Sequence, residues 1–247
     1  SDLVILGAAA LAAGPAPVRA QGASTALPVT ATELEPIPNP SIAYNRMAIA
    51  MGLPQKHGLA LKLGPDLAGA GPQRVQAVVT NNTDLATSDI IAAMGAIHSG
   101  AKIKVLMVMT PYGDEEVWGQ NKYKTIKDAQ GQPGCGASCA GAHRFNAQMA
   151  AQGLGFGPDA FRWTAIGGGD GPELQALSSG RVQLGSLSHL GAIQAAAKGL
   201  TKTIHALVPH TAKHTPPVPR LVVVARTEWL KDHQATAIAY VEMVLDM

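Results

Sequence analysis

Short runs of Val, Ile and Leu alternate along this chain with longer stretches whose apolar residues recur at helical spacing. Leu27–Ile37 alternates loosely and is rich in Val and Thr, which predicts a strand ended by Pro38-Asn39-Pro40-Ser41. Ser41 is the expected N-cap of a helix to about Met51, closed by Gly52. Leu59–Leu63 reads as a strand, Gly64–Pro72 as a Gly/Pro loop and Gln73–Thr80 as a helix. Leu85-Ala86-Thr87 is a buried strand, Ser88-Asp89 starts a helix over Ile90–Ser99 capped by Gly100, and Ile103–Met109 is the next strand. The second half repeats this order. Gly134–Ala137 is a strand end, and Ser138 opens a helix over Ala140–Gln152 capped by Gly153. Phe161–Ile166 is a strand, and Gly167–Gly171 leads into the helix Pro172–Ser179, capped by Gly180. Val182–Gly185 is a strand, Ser186–Ser188 a turn, Leu190–Lys198 a helix capped by Gly199, and Thr203–Val208 a strand. Strands alternating with helices predict an α/β fold of mainly parallel sheets flanked by helices.

The alternation also repeats in detail. Val75–Gly100 aligns without a gap with Leu174–Gly199, with Gln76/Gln175, Ala77/Ala176, Leu85/Leu184, Ala93/Ala192, Ala96/Ala195 and Gly100/Gly199 identical. Two related lobes facing one another enclose a cleft, and clefts between domains are where small ligands bind. Tyr112–Gln120 and Arg220–Arg226 follow the last strand of each unit and read as crossings between lobes, a two-strand hinge. Lobe 1 is then expected over residues 27–110, lobe 2 over 111–210, and a return to lobe 1 over 215–247. That return reads as a turn (Glu228–Asp232) and a helix (Gln234–Leu245) that breaks off uncapped, and is expected to be truncated.

Composition narrows the class. Apolar residues make up 47% of the 247, enough for a sizeable core, and the net charge of +2 argues against nucleic acid or an anionic membrane as partner. Leu3–Ala13 is a short apolar run broken by Pro15 and Pro17, and Val18-Arg19-Ala20 precedes Gln21. A short apolar core before a small-x-small site predicts a signal peptide over residues 1–20 and export to the periplasm; a buried first helix or strand is the alternative. The run is too short for a membrane span, which takes about 20 apolar residues. Cys135 and Cys139 lie in a Gly-rich turn, and their C-x-x-x-C spacing leaves a disulfide open.

The chain resembles a type II periplasmic solute-binding protein of an ABC importer, in the nitrate/sulfonate/taurine and thiamine-precursor (NMT1/THI5-like) branch. Ala48-Ile49-Ala50-Met51-Gly52-Leu53-Pro54-Gln55-Lys56-His57-Gly58-Leu59 resembles that family's A-x-x-x-G-hydrophobic-x-x-x-x-G-L start. Leu174–Gly180 (LQALSSG) resembles its helix before a strand, and Thr125–Gly131 (TIKDAQG) its Ser-Leu-x-Asp-Leu-Lys-Gly turn, with Ala129 and Gln130 departing from it. The resemblance runs from about Leu27 to the C-terminus. It implies a two-lobed fold and capture of a solute without chemistry: no catalytic residue, no cofactor and no metal. It also implies a monomer that docks on a membrane permease. An enzyme on the same fold, of pyrimidine-precursor synthesis or lyase type, and an extracytoplasmic ligand-sensing domain remain the alternatives.

In open α/β sheets, ligands lie beyond the carboxyl ends of the strands, where helix N-termini favour anions. Lobe 1 offers Asn39, Pro40, Ser41, Thr87 and Ser88 as such loop residues; lobe 2 offers Ser138, Cys139, Ala140, Gly168, Ser188 and His189. A sulfonate or carboxylate, nitrate or bicarbonate is the expected ligand, with Arg46 and Arg144 as candidate partners. The thiamine-precursor branch implies aromatic stacking instead, for which Trp118 and Trp163 are the candidates near the cleft. Gly167–Gly171 lacks the Lys-Ser/Thr of a P-loop, and Asp170 reads as a helix N-cap. His205, His210 and His214 are spread by Pro209, Pro216 and Pro217 and do not predict a metal site. Gly136–Gly141 misses the G-x-S-x-G spacing, and Glu115 and Glu116 would point to opposite faces of a strand. Met107 and Met109 read as core.

Overall fold

The structure, a computed structural model, describes residues 26–32, 43–64, 71–111, 113, 115–136, 142–166, 170–215 and 218–247. The expected signal peptide lies outside the described residues, as do Asn39, Pro40, Ser41, Ser138, Cys139, Ala140 and Gly168.

Along the first half run β1 (Leu27–Thr32), α1 (Tyr44–Ala50), α2 (Leu53–Lys56), β2 (Leu59–Leu63), α3 (Gly71–Val79), β3 (Leu85–Asp89), α4 (Ile90–His98) and β4 (Ile103–Thr110). The second half has β5 (Glu116–Gln120), β6 (Pro133–Gly136), α5 (Ala142–Gly153), β7 (Arg162–Ala165), α6 (Asp170–Ser178), β8 (Leu184–Leu187), α7 (His189–Ala197) and β9 (Ile204–Val208). β10 (Leu221–Arg226), α8 (Thr227–Asp232) and α9 (Gln234–Leu245) complete it. Two five-stranded sheets result, ordered β2-β1-β3-β10-β4 and β7-β6-β8-β5-β9. In each, four strands run one way and one, β10 or β5, runs against them, so the sheets are mixed. The reversed strands lie in the two stretches read as crossings: each is the first strand laid down after the chain passes between the sheets.

Side-chain alternation explains the two-sided burial of each sheet. Along β10, Val223 and Ala225 join Leu59, Leu85, Trp229, Tyr240 and Met243 in one apolar cluster. Val222 and Val224 face the other way, onto Val75 and Val78 of α3 and Ala92 and Ala93 of α4. In β5, Val117 packs with Phe161, Ala147 and Ala151, whereas Trp118 packs with Cys135, Leu174, Leu177 and Ala195. Met107 and Met109 pack against the first of these clusters. Cys135 is a buried free thiol whose pKa is raised, by burial first and by Glu173 second.

The gap-free alignment carries over to the elements: α3 corresponds to α6 and α4 to α7 residue for residue, and β3 to β8 except that β8 ends one residue sooner. Several expected boundaries move. α1 starts at Tyr44, with Ala43 rather than Ser41 at its N-cap and no side chain capping it. β3 continues through Ser88 and Asp89 because β10 pairs with all five of its residues. β8 likewise includes Ser186 and Leu187, paired with Val117 and Glu116 of β5, where a turn was expected. α5 begins at Ala142 and includes Gly153; the left-handed turn falls on Gly155 (φ 88°). The expected turn at Glu228–Asp232 is the helix α8.

Candidate functional site

Between the sheets, the two crossings are tied to one another. The Arg220 backbone N–H donates to Thr110 O at 2.9 Å, and the Thr211 hydroxyl donates to Glu115 O at 2.6 Å. The Arg220 Nε donates to Glu115 Oε1 at 2.7 Å, and Asn146 Nδ2 of α5 donates to Glu115 Oε2 at 2.6 Å. α4 of the first sheet touches α5 of the second. The carboxyl ends of β3 and β8, and the helices that start there, converge on this region.

On the first-sheet side, Asp89 caps α4, its Oδ1 accepting from the Ala92 N–H at 2.9 Å. Its Oδ2 lies against the start of α3 so closely that a Cβ on Gly71 would stand 1.8 Å from it. Ser88 Oγ donates to Gly71 O at 3.1 Å, and Arg74 Nε donates to Thr87 O at 3.0 Å. Burial raises the Asp89 pKa; the Ala92 N–H and the Arg74 guanidinium offset part of that rise.

On the second-sheet side, Ser188 caps α7, accepting from the Gly191 N–H at 3.2 Å. Its own N–H donates to Asp170 Oδ1 at 2.8 Å, and its hydroxyl donates to Asp170 Oδ2. Asp170 is the first residue of α6, so it serves the neighbouring helix instead of capping its own. Residue for residue, Gly71 corresponds to Asp170 and Asp89 to Ser188. In both halves a carboxylate lies between these two positions, carried by the cap Asp89 in the first and by Asp170 in the second. Arg74 corresponds to Glu173, and Thr87 to Ser186.

That last pair diverges. The Thr87 carbonyl accepts from Arg74, whereas the Ser186 carbonyl lies 3.1 Å from His143 Nδ1 of α5. Glu173 is fully buried and neither of its oxygens accepts a hydrogen bond; the Ser186 hydroxyl is likewise buried and unpaired. His143 Nδ1 stands 3.4 Å from Glu173 Oε1, a long ion pair that makes His143 the charged partner of this carboxylate. Burial works against charge on His143, but the Glu173 carboxylate, with Glu115 and Asp170 behind it, pushes its pKa up to about 10. Burial pushes Glu173 up to about 7 against the pull of His143. Burial would raise Glu115 too, but Arg220, His143 and Asn146 together hold it below the ordinary glutamate value.

At the rim, Glu116 accepts from Trp118 Nε1 at 2.8 Å and lies 3.4 Å from His189 Nδ1, whose ring is mostly exposed. Glu115 and Glu116 thus engage different partners, as their adjacency on an extended segment implied.

Of the expected loop residues, Ser188 and His189 stand at this junction. Thr87 and Ser88 are buried strand residues next to it, and the Thr87 hydroxyl faces Met109 Sδ at 3.7 Å. Trp163 is half-buried against a cluster of the second sheet, where it meets Phe161, and Trp118 is buried in the core. Among the described residues no group of His, Cys, Asp and Glu could hold a metal; His205 instead hydrogen-bonds Asn121. Sequence reasoning passed over His143, Asn146, Glu173 and Arg220. The gap-free repeat held the one available signal: Glu173 stands where the other copy has Arg74.

No family model matches the chain, and no curated protein matches it by sequence. Solved structures do match. The alkanesulfonate-binding protein of Xanthomonas axonopodis pv. citri, bound to MOPS, superposes with a TM-score of 0.69 at 12% identity, covering 90% of this chain and 73% of that one. The ligand-binding component of an ABC-type import system from Staphylococcus aureus, with zinc bound, gives 0.66 at 17% identity over 88% and 72%. The periplasmic aliphatic sulphonate binding protein of Escherichia coli gives 0.63 at 15% identity over 88% and 70%. At these identities the likeness is one of architecture: the chain has the two-sheet α/β fold of the periplasmic solute-binding proteins.

Proposed function

We propose that this chain is the solute-binding receptor of an ABC importer, capturing a small organic solute between its two sheets and presenting it to a membrane permease. The observation that carries the reading is the junction itself: two crossings locked together by Arg220, Glu115 and Thr211 beside the facing carboxyl ends of β3 and β8. A pair of crossings so tied acts as a hinge, and a solute that binds the closed form better shifts the population toward it. On this reading residues 27–110 and 215–247 form lobe 1 and residues 111–210 form lobe 2. Residues 1–20 are the signal peptide, and the receptor works as a monomer in the periplasm. Membership of the nitrate/sulfonate/taurine and thiamine-precursor branch is part of the same proposal. The likeness to importer components supports it.

The anionic ligand class expected from the helix N-termini is favoured by one observation, the sulfonate named for two of the structural neighbours.

The test is a thermal-shift screen of the full chain against small solutes, with small-angle scattering on each hit and NMR of the solute after incubation. A solute at 100 times its Kd adds about 2.7 kcal/mol, which raises the midpoint by about 5–10 °C. The expected result is such a rise, a smaller radius of gyration and an unaltered solute. Chemical conversion of the solute would overturn the receptor reading in favour of an enzyme on the same fold.

A further inference from the structure

The two crossings meet on one side of α5. Asn146 and Gly153 are seven residues apart and so share a face of the helix, with the buried Ala150 between them. Asn146 reaches the first crossing, its Nδ2 donating to Glu115 Oε2 at 2.6 Å. Gly153 abuts the second, where an added Cβ would overlap the His214 carbonyl oxygen. The other oxygen of Glu115 accepts from Arg220 Nε, and the Arg220 backbone is fixed to the first sheet: its N–H donates to Thr110 O at 2.9 Å, and its carbonyl accepts from the Ile90 N–H of α4 at 2.9 Å. One carboxylate thus joins a helix of the second sheet to a strand and a helix start of the first. Both its oxygens are engaged, so a turn of the sheets large enough to part Arg220 from Asn146 breaks one of the two bonds. The first crossing closes over this link, since a Cβ on Gly113 would stand 2.6 Å from Asn146 Nδ2. The second crossing is strained beside it. His210, between β9 and Thr211, has φ 115° and ψ 65°, a conformation that residues with a Cβ rarely adopt and that persists only where the surroundings impose it. Its neighbour Thr211, buried and bonded to Glu115 O at 2.6 Å, fixes the chain on the far side.

We propose that the Glu115 carboxylate is a latch on the hinge, holding the described arrangement of the two sheets against strain stored at His210. This rests on the receptor reading only in taking the crossings for a hinge. Two opposed effects follow. Loss of the Asn146 bond frees α5 from the first crossing, and His210 then returns to an ordinary backbone conformation as the sheets turn. A glycine at position 210 adopts the positive φ without a Cβ penalty and so favours the latched arrangement. The balance sets how much of the protein stands in each arrangement before a solute arrives. The apparent affinity for a solute that needs the unlatched form is reduced by the fraction of the protein in that form.

The experiment is double electron–electron resonance on the full chain without solute, with spin labels on p-acetylphenylalanine placed at the exposed positions Lys62 of β2 and Lys127, just before β6. Asn146→Ser removes the donor of the latch and Gly113→Ala crowds it, so a failure of either variant to fold leaves the other to report. The expected result is that, in both, the population at distances other than the main wild-type distance rises at least threefold. Adding His210→Gly to N146S should reverse that rise at least threefold. Wild-type distances in folded N146S and G113A, or H210G driving the distribution the same way as N146S, would overturn the latch and leave the receptor reading to its own solute screen. The expected distances in a chain that converts its solute would keep the latch and overturn the receptor.

Discussion

Replacing Arg220 with Ala should be among the most damaging single changes in this chain, and its damage should depend on pH. The Glu115 side chain has no exposure and that of Arg220 has 11%. Removing one member of a buried ion pair costs about 3–5 kcal/mol, because it strands the other charge in a poor solvent. Glu115 keeps the Asn146 amide and the nearby His143 charge, which places the expected loss near the lower end, about 3 kcal/mol. For a chain of this size that is about 6–12 °C in Tm. The sign with pH follows from the shift. In the native pair the Glu115 pKa lies below its unfolded value, so the pair's stabilisation is present above the unfolded pKa and is lost as pH falls through the folded one. Without Arg220, burial is opposed less and the Glu115 pKa rises, so the variant relieves its penalty by taking up a proton. Urea melts of wild type, R220A and the E115Q/R220M double variant at pH 7 and pH 4 make the measurement. R220A should lose about 3 kcal/mol at pH 7 and distinctly less at pH 4, and the double variant should recover most of it. A pH 7 loss under about 1 kcal/mol, or the same loss at both pH values, would refute the view that this pair is a desolvated clamp between the crossings.

Three further outcomes test other parts of the structure. Gly153→Ala places a Cβ 1.8 Å from the His214 carbonyl oxygen, a backbone atom that cannot swing aside, and should lose about 1–3 kcal/mol in a urea melt; an unchanged midpoint would show that contact to be slack. Tyr240→Phe removes the donor, 2.7 Å away, that satisfies Asn45 Oδ1 in the core, where Asn45 Nδ2 is already unpaired; about 1–3 kcal/mol should go, and a loss below half of that lower figure would mean water takes its place. The His143 ring nitrogens should keep the 15N shifts of an imidazolium by NMR between pH 5 and 8, since the folded pKa is raised to about 10; its stabilisation is full below the ordinary imidazole value and is lost as pH rises through about 10, so neutral-imidazole shifts appearing near pH 6.5 would contradict the buried His143–Glu173 contact.

The architecture was legible because it is written in periodicity and punctuation. The run Leu59–Leu63 matches β2 as read, because Gly58 and Gly64 bound it, and Gln234–Leu245 matches α9. The repeat was legible too, since α3-β3-α4 and α6-β8-α7 bury equivalent faces and so keep equivalent apolar positions. Boundaries failed where tertiary pairing extends a strand: Ser88, Asp89, Ser186 and Leu187 look like turn residues, and only β10 and β5 running alongside make them strand. The junction was legible only in outline. Helix N-termini reveal themselves locally, but the carboxylates that occupy them come from elsewhere, Asp89 onto Gly71 and Asp170 onto Ser188. Glu115 and Arg220 are far apart along the chain, and no local pattern joins them.

The exchange between the two halves can be tested directly, and it bears on how the junction came to be charged as it is. One half presents Gly71 under Asp89; the other presents Asp170 under Ser188. If these are two solutions of one geometric problem, the second can be built into the first half. Gly71→Asp alone should be strongly unfavourable, since its Cβ would stand 1.8 Å from Asp89 Oδ2 and two carboxylates would share one site; a loss of about 2–3 kcal/mol is expected. Asp89→Ser alone exchanges one good N-cap for another and should lose about 1 kcal/mol or less. Joined, G71D and D89S remove the clash and recreate the Asp170–Ser188 contact, so the double variant should be more stable than G71D by at least about 1 kcal/mol, a coupling within the range seen for residues in contact. Additive losses would mean that the resemblance between the two junctions is one of sequence position and not of structure. Compensation would mean that both halves keep an acid on the same helix starts by interchangeable means, so that the position where they part company, Arg74 against Glu173, is the one free to be shaped by what the cleft must hold.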